Sequence, residues 1–291
     1  MKFAEFDYQA PRTPAEVVRL LAERPGEAKI IAGGQSLLPT MAYRLAQPAL
    51  LVDLKELTGL GEITLDGAAL RVGARTRWRD IEASELLATA QPLLQEAVHH
   101  IAHYQVRNRG TVGGSLVHAD PSAELPLAAA TLNATLVLQK TGGERRVAAS
   151  DFFQGPMFTA TAEDECLVAI EWPRWSGARI GSAFDETAIR HGDFAMASAA
   201  VQLQLNDAGV CERAVLGVGG VDGIPLALPR VAERLVGKLP SDDSVRAVAA
   251  EASRACEPGS DIHASAEYRR HLVTVLVERV LRQALATARN S

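Results

Sequence analysis

Apolar and polar positions alternate along the chain in two different textures. Thr13-Pro14-Ala15-Glu16 opens a helix, with Thr13 as N-cap, Pro14 at the first helical position and Glu16 closing a capping box. The helix runs through Val17 to Ala22 and stops near Pro25-Gly26. The apolar run Ala28 to Ile31 then predicts a buried strand, and Leu50 to Leu54 a second one. From Ile63 the runs shorten. Ile63 to Leu65, Leu70 to Val72 and Thr135 to Leu138 read as strands, with helices over Trp78 to Ala88 and Leu93 to His103. Asp120-Pro121-Ser122-Ala123-Glu124 reads as a helix start, and Cys166 to Ile170 as a strand closed by Pro173. Beyond a linker at Pro173 to Gly181, three strands are predicted at Ser182 to Arg190, Ala200 to Leu205 and Cys211 to Val218. Asn206 to Gly209 turns between the last two. Helices follow at Val231 to Leu235, Asp243 to Cys256 and Ala266 to Ala286. The pattern predicts an α+β protein in two domains, residues 1–176 and 177–291, the first with subdomains of about 1–55 and 56–176.

Composition narrows the function classes. The 291 residues are 47% hydrophobic, enough for a core in each of two domains. A net charge of −5 argues against nucleic acid or an anionic membrane as the main partner. No apolar run approaches the ~20 residues that span a bilayer. The opening Met1 to Asp7 lacks the basic and apolar regions of a signal peptide. Cys166, Cys211 and Cys256 are isolated, which fits a reducing compartment and excludes an iron–sulfur cluster held by this chain alone. A cytoplasmic protein is expected.

Two short segments carry candidate chemistry: Ala32-Gly33-Gly34-Gln35-Ser36 after the strand at Ala28, and Thr111-Val112-Gly113-Gly114-Ser115. Paired glycines admit positive φ and let an anion approach the backbone amides, which together make a concave nest; the hydroxyl adds a donor. Two such turns suggest a diphosphate gripped from both sides. Chance alone predicts about two Gly-Gly pairs at this glycine content. The chain has four, and Gly142-Gly143 between Leu138 and Arg145 reads as a plain hairpin turn. The surroundings therefore decide. Arg107 and Arg109 precede the second segment on a loop, and His118 to Pro126 follows it with polar groups suited to a phosphate-plus-sugar ligand. Neither turn is a P-loop or Gly-x-Gly-x-x-Gly. His99 and His103 lie four apart on the expected helix, but no glutamate partner or third ligand accompanies them, and a polar helix face is the preferred reading. Ser36 and Ser115 are not in a Gly-x-Ser-x-Gly nucleophile turn.

Lys29 to Pro39 and Arg107 to Pro126 closely resemble the medium, FAD-binding subunit of molybdenum hydroxylases, the group that includes carbon monoxide and xanthine dehydrogenase flavoprotein subunits. The likeness continues through Phe152 to Gly155, Asp164-Glu165 and Arg190 to Ala195, covering essentially the whole chain. It implies a PCMH-type (vanillyl-alcohol-oxidase-like) FAD-binding domain, followed by a smaller C-terminal domain with a three-stranded antiparallel sheet and helices. It also implies that Ala32, Gly33, Gly34, Gln35, Ser36, Thr111, Gly113, Gly114 and Ser115 bind the FAD pyrophosphate. Lys29 matches a basic position before the first turn. His118, Asp120 and Glu124 match the segment that contacts the adenosine and ribityl parts, Glu124 replacing the aspartate of many relatives. Thr161 stands where relatives often place leucine beside the flavin, and Arg190 in a turn near the flavin ring. The implied role is electron transfer: a small subunit with two [2Fe-2S] clusters delivers electrons from a large molybdopterin subunit, in a dimer of heterotrimers, and FAD here passes them to an external acceptor. A stand-alone FAD oxidase of the same fold and a non-catalytic nucleotide-binding module are the alternatives.

Overall fold

In the computed structural model, residues 2–67 and 69–291 are described. Met1, with which the expected signal-free opening begins, lies outside the described residues, as does Ala68. The chain begins with β1 (Asp7–Gln9), a strand too short and polar to be foreseen, followed by α1 (Pro14–Glu23). The expected capping box is present: Glu16 N–H donates to Thr13 Oγ1, and the Glu16 carboxylate accepts from Thr13 N–H. β2 (Ala28–Ile31), α2 (Leu37–Ala42) and β3 (Leu50–Asp53) follow, and the three strands form a parallel sheet in the order β1-β3-β2. The glycine segment therefore leads into a short helix, α2, not straight to the next strand. Val17, Val18 and Leu21 of α1 pack with Leu50 and Val52 over this sheet.

β4 (Ile63–Asp66) and β5 (Ala69–Gly73) start a second sheet. Five helices then build one wall: α3 (Trp78–Glu82), α4 (Glu85–Ala90), α5 (Pro92–His100), α6 (Tyr104–Arg107) and α7 (Val112–His118). The single helix expected over Trp78 to Ala88 is broken at Ala83-Ser84, where Ser84 caps α4 by accepting from Leu87 N–H. α5 ends at His100, so His99 and His103 do not share a helical face; His103 is the exposed residue before α6. Arg107 closes α6 instead of lying on a loop. α8 (Glu124–Leu132) begins where the Asp120 segment ends, with Pro121 outside its first turn. All nine of its residues are buried, as an apolar-all-round helix requires. β6 (Thr135–Lys140) and β7 (Gly143–Ala148) form the expected hairpin. After α9 (Ala149–Phe152) and the small ribbon β8 (Phe153–Gly155)–β9 (Phe158–Thr159), β10 (Cys166–Pro173) closes an antiparallel sheet ordered β4-β5-β10-β6-β7.

The third sheet contains the three expected strands, β11 (Ile180–Thr187), β12 (Ala197–Leu205) and β13 (Cys211–Gly219). The two-residue β14 (Leu226–Ala227) adds a fourth. α10 (Pro229–Ala232), a 3-10 turn, α11 (Asp242–Arg254) and α12 (Ala266–Asn290) follow. One face of this sheet carries Ala183, Ala197, Ala199, Val201 and Leu203 into the core with Leu276, Val280 and Leu281 of α12. The other face meets α5 and α8 and is studded with Ser182, Glu186, Ser198 and Gln202. Phe184 and Ala200 from that face join the core built on β5, β6 and β10, so α8 is packed between two sheets.

Candidate functional site

At the end of β2 the backbone turns through Gly34 at φ +73°, the left-handed region that favours glycine. Gly33 is required for space: a Cβ there would fall 2.2 Å from the Arg109 carbonyl oxygen and 2.9 Å from Gly110 Cα. The first glycine turn thus rests directly on the backbone that leads into the second segment. Among the described residues, the N–H groups of Gly33, Gly34, Gln35 and Ser36 donate to no protein acceptor. The Ser36 hydroxyl makes no cap to α2. Consecutive unpartnered amides at one spot are uncommon in folded chains and form a ready anion site.

The second segment differs from expectation. Gly113 and Gly114 lie inside α7, at negative φ, capped by Thr111, whose hydroxyl accepts from Gly114 N–H at 3.2 Å. Its amides are engaged: Val112 donates to Thr76 O (3.0 Å), Gly113 to Ala74 O (2.8 Å) and Ser115 to Thr111 O (3.1 Å). Two glycines cost a helix about 1 kcal/mol each relative to alanine, so tertiary packing must hold this one. Gly113 shows how, because a Cβ there would lie 2.6 Å from Ala74 Cβ and 2.7 Å from Ala74 O. Gly110, just before, leaves room for the Trp78 ring, and Trp78 N–H donates to its carbonyl at 3.1 Å. The free amides thus lie on the side of Gly33 to Ser36, while the second segment supplies a close-packed wall and the Ser115 hydroxyl.

Between the two segments lies a cavity of about 490 Å³. It is lined by Lys29, Ala32, Gly33, Gly34, Gln35, Ser36, Thr111, Gly113, Gly114, Ser115, His118, Glu124 and Thr161. Asp120 and Arg190 do not line it. The Asp120 carboxylate turns back to accept from Ser122 N–H at 2.9 Å, and Arg190 is exposed beside Asp193. Gly192, Asp193 and Phe194, just after Arg190, do reach the cavity, and Phe194 is 62% exposed. Trp78, Ile101 and Val106, not foreseen from the sequence, add apolar wall; Ile101 and Val106 stand close to Arg107 in the chain, whereas Trp78 is distant in it and carried no such signal. Thr161 N–H donates to Thr159 Oγ1, whose own hydroxyl donates to Thr161 Oγ1.

Three titratable groups at the cavity are displaced from their usual values. Glu165 is held below the usual carboxylate range by the Arg145 guanidinium, which bonds both its oxygens at 2.6 Å. Glu124 is buried without such a partner, and burial, helped by Asp120, pushes it up to about 7. Cys166 also lines the cavity, but burial pushes its thiol up to about 12, which keeps it protonated and poorly nucleophilic. Among the described residues no cluster of three or more metal-ligating side chains exists. His99 instead lies 3.3 Å from Glu82, which also pairs with Arg107. Unpartnered amides for an anion, free hydroxyls for sugar and an apolar wall for rings fit a phosphate-bearing dinucleotide.

The sequence profile of the FAD-binding domain in molybdopterin dehydrogenase matches residues 4–175, and that of the CO dehydrogenase flavoprotein C-terminal domain matches residues 182–284. The chain belongs to the FAD-binding subunits of the molybdenum hydroxylases. It is 36% identical over 289 residues to the 6-hydroxypseudooxynicotine dehydrogenase complex subunit alpha of Paenarthrobacter nicotinovorans, covering 99% of this chain and 97% of that one. Among solved structures, quinoline 2-oxidoreductase from Pseudomonas putida 86 superposes with a TM-score of 0.93 at 40% identity, covering 99% of each chain. Carbon monoxide dehydrogenase from Hydrogenophaga pseudoflava superposes with a TM-score of 0.95 at 34% identity, again over 99% of each. The fold is accordingly the mixed helix-and-sheet FAD-binding domain plus C-terminal domain of that family, and FAD is the cofactor of this chain's family. No helix among the described residues is long and apolar enough to cross a membrane.

Proposed function

We propose that the chain is the electron-transfer subunit of a heteromeric molybdenum hydroxylase, receiving electrons from [2Fe-2S] clusters of a small partner subunit and passing them to an external acceptor. A large molybdopterin subunit completes the complex, as a dimer of heterotrimers in the cytoplasm, and substrate is oxidised there and not on this chain. The observation that carries this reading is the row of unpartnered amides from Gly33 to Ser36, facing a cavity whose opposite wall is packed too tightly for side chains.

In this reading Gly33, Gly34, Gln35 and Ser36 donate their amides to the FAD diphosphate, with Ala32 and Lys29 beside them and the Ser115 hydroxyl opposite. Thr111, Gly113 and Gly114 keep the wall close to the ligand. His118 and Glu124 would hold its sugar hydroxyls, Asp120 shapes the loop before α8, and Thr161 would lie on the side of the ring. Arg190 sets the turn that carries Phe194 to the cavity. Bound there, FAD supplies the junction between one-electron and two-electron transfer. The chain's own residues bind, orient and shield it; none is needed as an acid or base. We place the boundary between FAD-binding and C-terminal domains at residue 176. Purification with its partner chains and a visible spectrum tests the whole: yellow protein whose flavin is bleached by substrate only in the complete complex supports it. Colourless protein, or flavin bleached by substrate with this chain alone, contradicts it.

A further inference from the structure

Arg269 stands early in α12 at the spacing of Leu272, Val273 and Leu276, on the apolar face that the helix lays over the third sheet, and it is only 8% exposed. Taking a guanidinium out of water is costly unless its donors are met, and here they meet three different segments. Nη1 donates to Met196 O, just before β12, and to Gly220 O, just after β13, the latter at 2.7 Å. Nη2 donates to Asp261 Oδ2 at 2.7 Å, in the loop between α11 and α12. The N–H groups of Ala264 and His263 bond the other oxygen of Asp261 and, with Arg269, hold its carboxyl down at about 2, so this loop presents a fixed charge. Ser198 and Gly219 are partners in register, which puts Met196 and Gly220 at the same end of adjacent strands.

Met196 and Gly220 each carry a loop of the large cavity. Met196 N–H donates to Thr187 O at 2.8 Å and closes the loop 188–195, whose Gly192, Asp193 and Phe194 line that cavity. Gly220 N–H donates to Pro121 O at 2.9 Å, in the loop that leads to Ala123 and Glu124 of the same cavity. Gly220 itself takes φ +71°, and a Cβ there would fall 2.9 Å from Ala195 O, so the two loops come together around a glycine. Arg269 does not line the large cavity. It lines a second one, of about 270 Å³, with Pro121, Ser122, Gly220, Asp222 and Asp261.

We propose that Arg269 is a positioning residue for the FAD site: from outside the cavity it holds Met196 and Gly220 to the start of α12, and through them it sets both the Phe194 loop and the loop before α8. A guanidinium suits this task because its donors leave a planar fork in fixed directions, so acceptors from three segments are held at set mutual distances. Stability is a poor reason for such a group. Its Nε is buried and bonds no acceptor, and the Asp261 carboxylate is half exposed, where an ion pair contributes little. What the buried fork supplies is a defined geometry. The hold on the two loops concerns the chain alone; its effect on FAD affinity rests on the FAD reading above.

Amide hydrogen exchange of the full chain without FAD is compared in the native form, Arg269→Ala, Arg269→Lys and Arg289→Ala, the last removing a donor to Pro240 O at the far end of α12. In Arg269→Ala the Met196 and Gly220 amides should exchange about tenfold faster. Those of Leu205 and Cys211, at the other end of the same strands, should keep their native rates. Equal acceleration at both ends, or none at either, overturns the hold on the loops. FAD titration of the same variants tests its consequence. A fall in affinity of about tenfold in Arg269→Ala, with Arg289→Ala within about twofold of native, supports the positioning role. So does recovery by guanidinium ion at non-denaturing concentration but not by ammonium, since the truncation opens a space into the second cavity beside the same three acceptors. Affinity that stays native in Arg269→Ala, or falls as far in Arg289→Ala, overturns that role while the FAD reading stands. Where Arg269→Ala does not fold, Arg269→Lys keeps the charge without the fork and carries both comparisons, with changes of about threefold expected. Localised acceleration in a chain whose native form binds no FAD overturns the FAD reading and leaves the hold on the loops supported.

Discussion

Gly33-Gly34 and Gly113-Gly114 are the same dipeptide meeting two different demands. In the first pair one glycine yields to a neighbouring backbone and the other takes positive φ, and the turn they make leaves four amides unpaired at the cavity. In the second pair both residues are helical, their amides are engaged, and the missing Cβ atoms let α7 lie against Ala74 and keep clear of the Thr111 cap. The first pair offers donors and the second offers proximity. A glycine doublet therefore carries no single meaning; what its amides and its absent Cβ face must be found for each.

Alanine substitutions separate the two roles. Gly33→Ala should have the largest effect, since the new Cβ meets backbone at 2.2 Å and cannot be accommodated by a side-chain rotation. Overpacking of this kind costs about 3 kcal/mol or more, so thermal unfolding should shift down by many degrees, and any folded fraction should fail to retain FAD. Preservation of both would remove the close contact between the two segments from the account. Gly113→Ala comes next. Its clash with Ala74 should cost about 2 kcal/mol after the gain of about 1 kcal/mol in helix propensity, and FAD affinity of the folded protein should change less than stability.

Gly34→Ala forces an alanine to φ +73° with Leu38 Cδ1 3.0 Å away. About 1–2 kcal/mol of stability should be lost. Here binding should suffer as much as stability: because relaxing the turn re-aims the free amides, FAD affinity should fall about tenfold, a loss of about 1.4 kcal/mol in binding. Titration of flavin fluorescence against thermal melts distinguishes it from Gly113→Ala. Gly114→Ala should be the mildest. Its Cβ would touch Thr111 Oγ1 at 2.8 Å, so weakening the cap and improving helix propensity oppose each other, each worth about 1 kcal/mol. A melting temperature within a few degrees of native is expected, and a loss as large as that of Gly33→Ala would show that the second pair is as constrained as the first.

Much of this was legible in the chain. Thr13, Pro14 and Glu16 announced α1, and the strand leading into Ala32-Gly33-Gly34 was readable from Ala28 to Ile31, because local chemistry dictates both. The second glycine pair was legible as important but not as helical: glycine doublets favour turns, and only the packing of Gly113 on Ala74 overrides that preference. The break at Ser84 and the end of α5 before His103 were hidden because apolar periodicity continues across both. Leu226–Ala227 is two residues long and joins the sheet through β13, a long-range pairing with no local signature. Glu186 gave no signal either. It stands beside Asp185 in a strand, and nothing in the order of residues tells that one carboxylate faces Arg279 while the other turns to the buried face, with His100 Nδ1 3.9 Å away.

The central claim is that the amides of Gly33 to Ser36 hold the diphosphate of FAD. Titrating the purified full chain with FAD and, in parallel, with riboflavin, which has the same ring but no phosphate, tests it most directly. Charge-assisted hydrogen bonds contribute about 1.5–3 kcal/mol each, so riboflavin should bind at least about 100-fold more weakly than FAD. Equal affinity for the two would contradict the account.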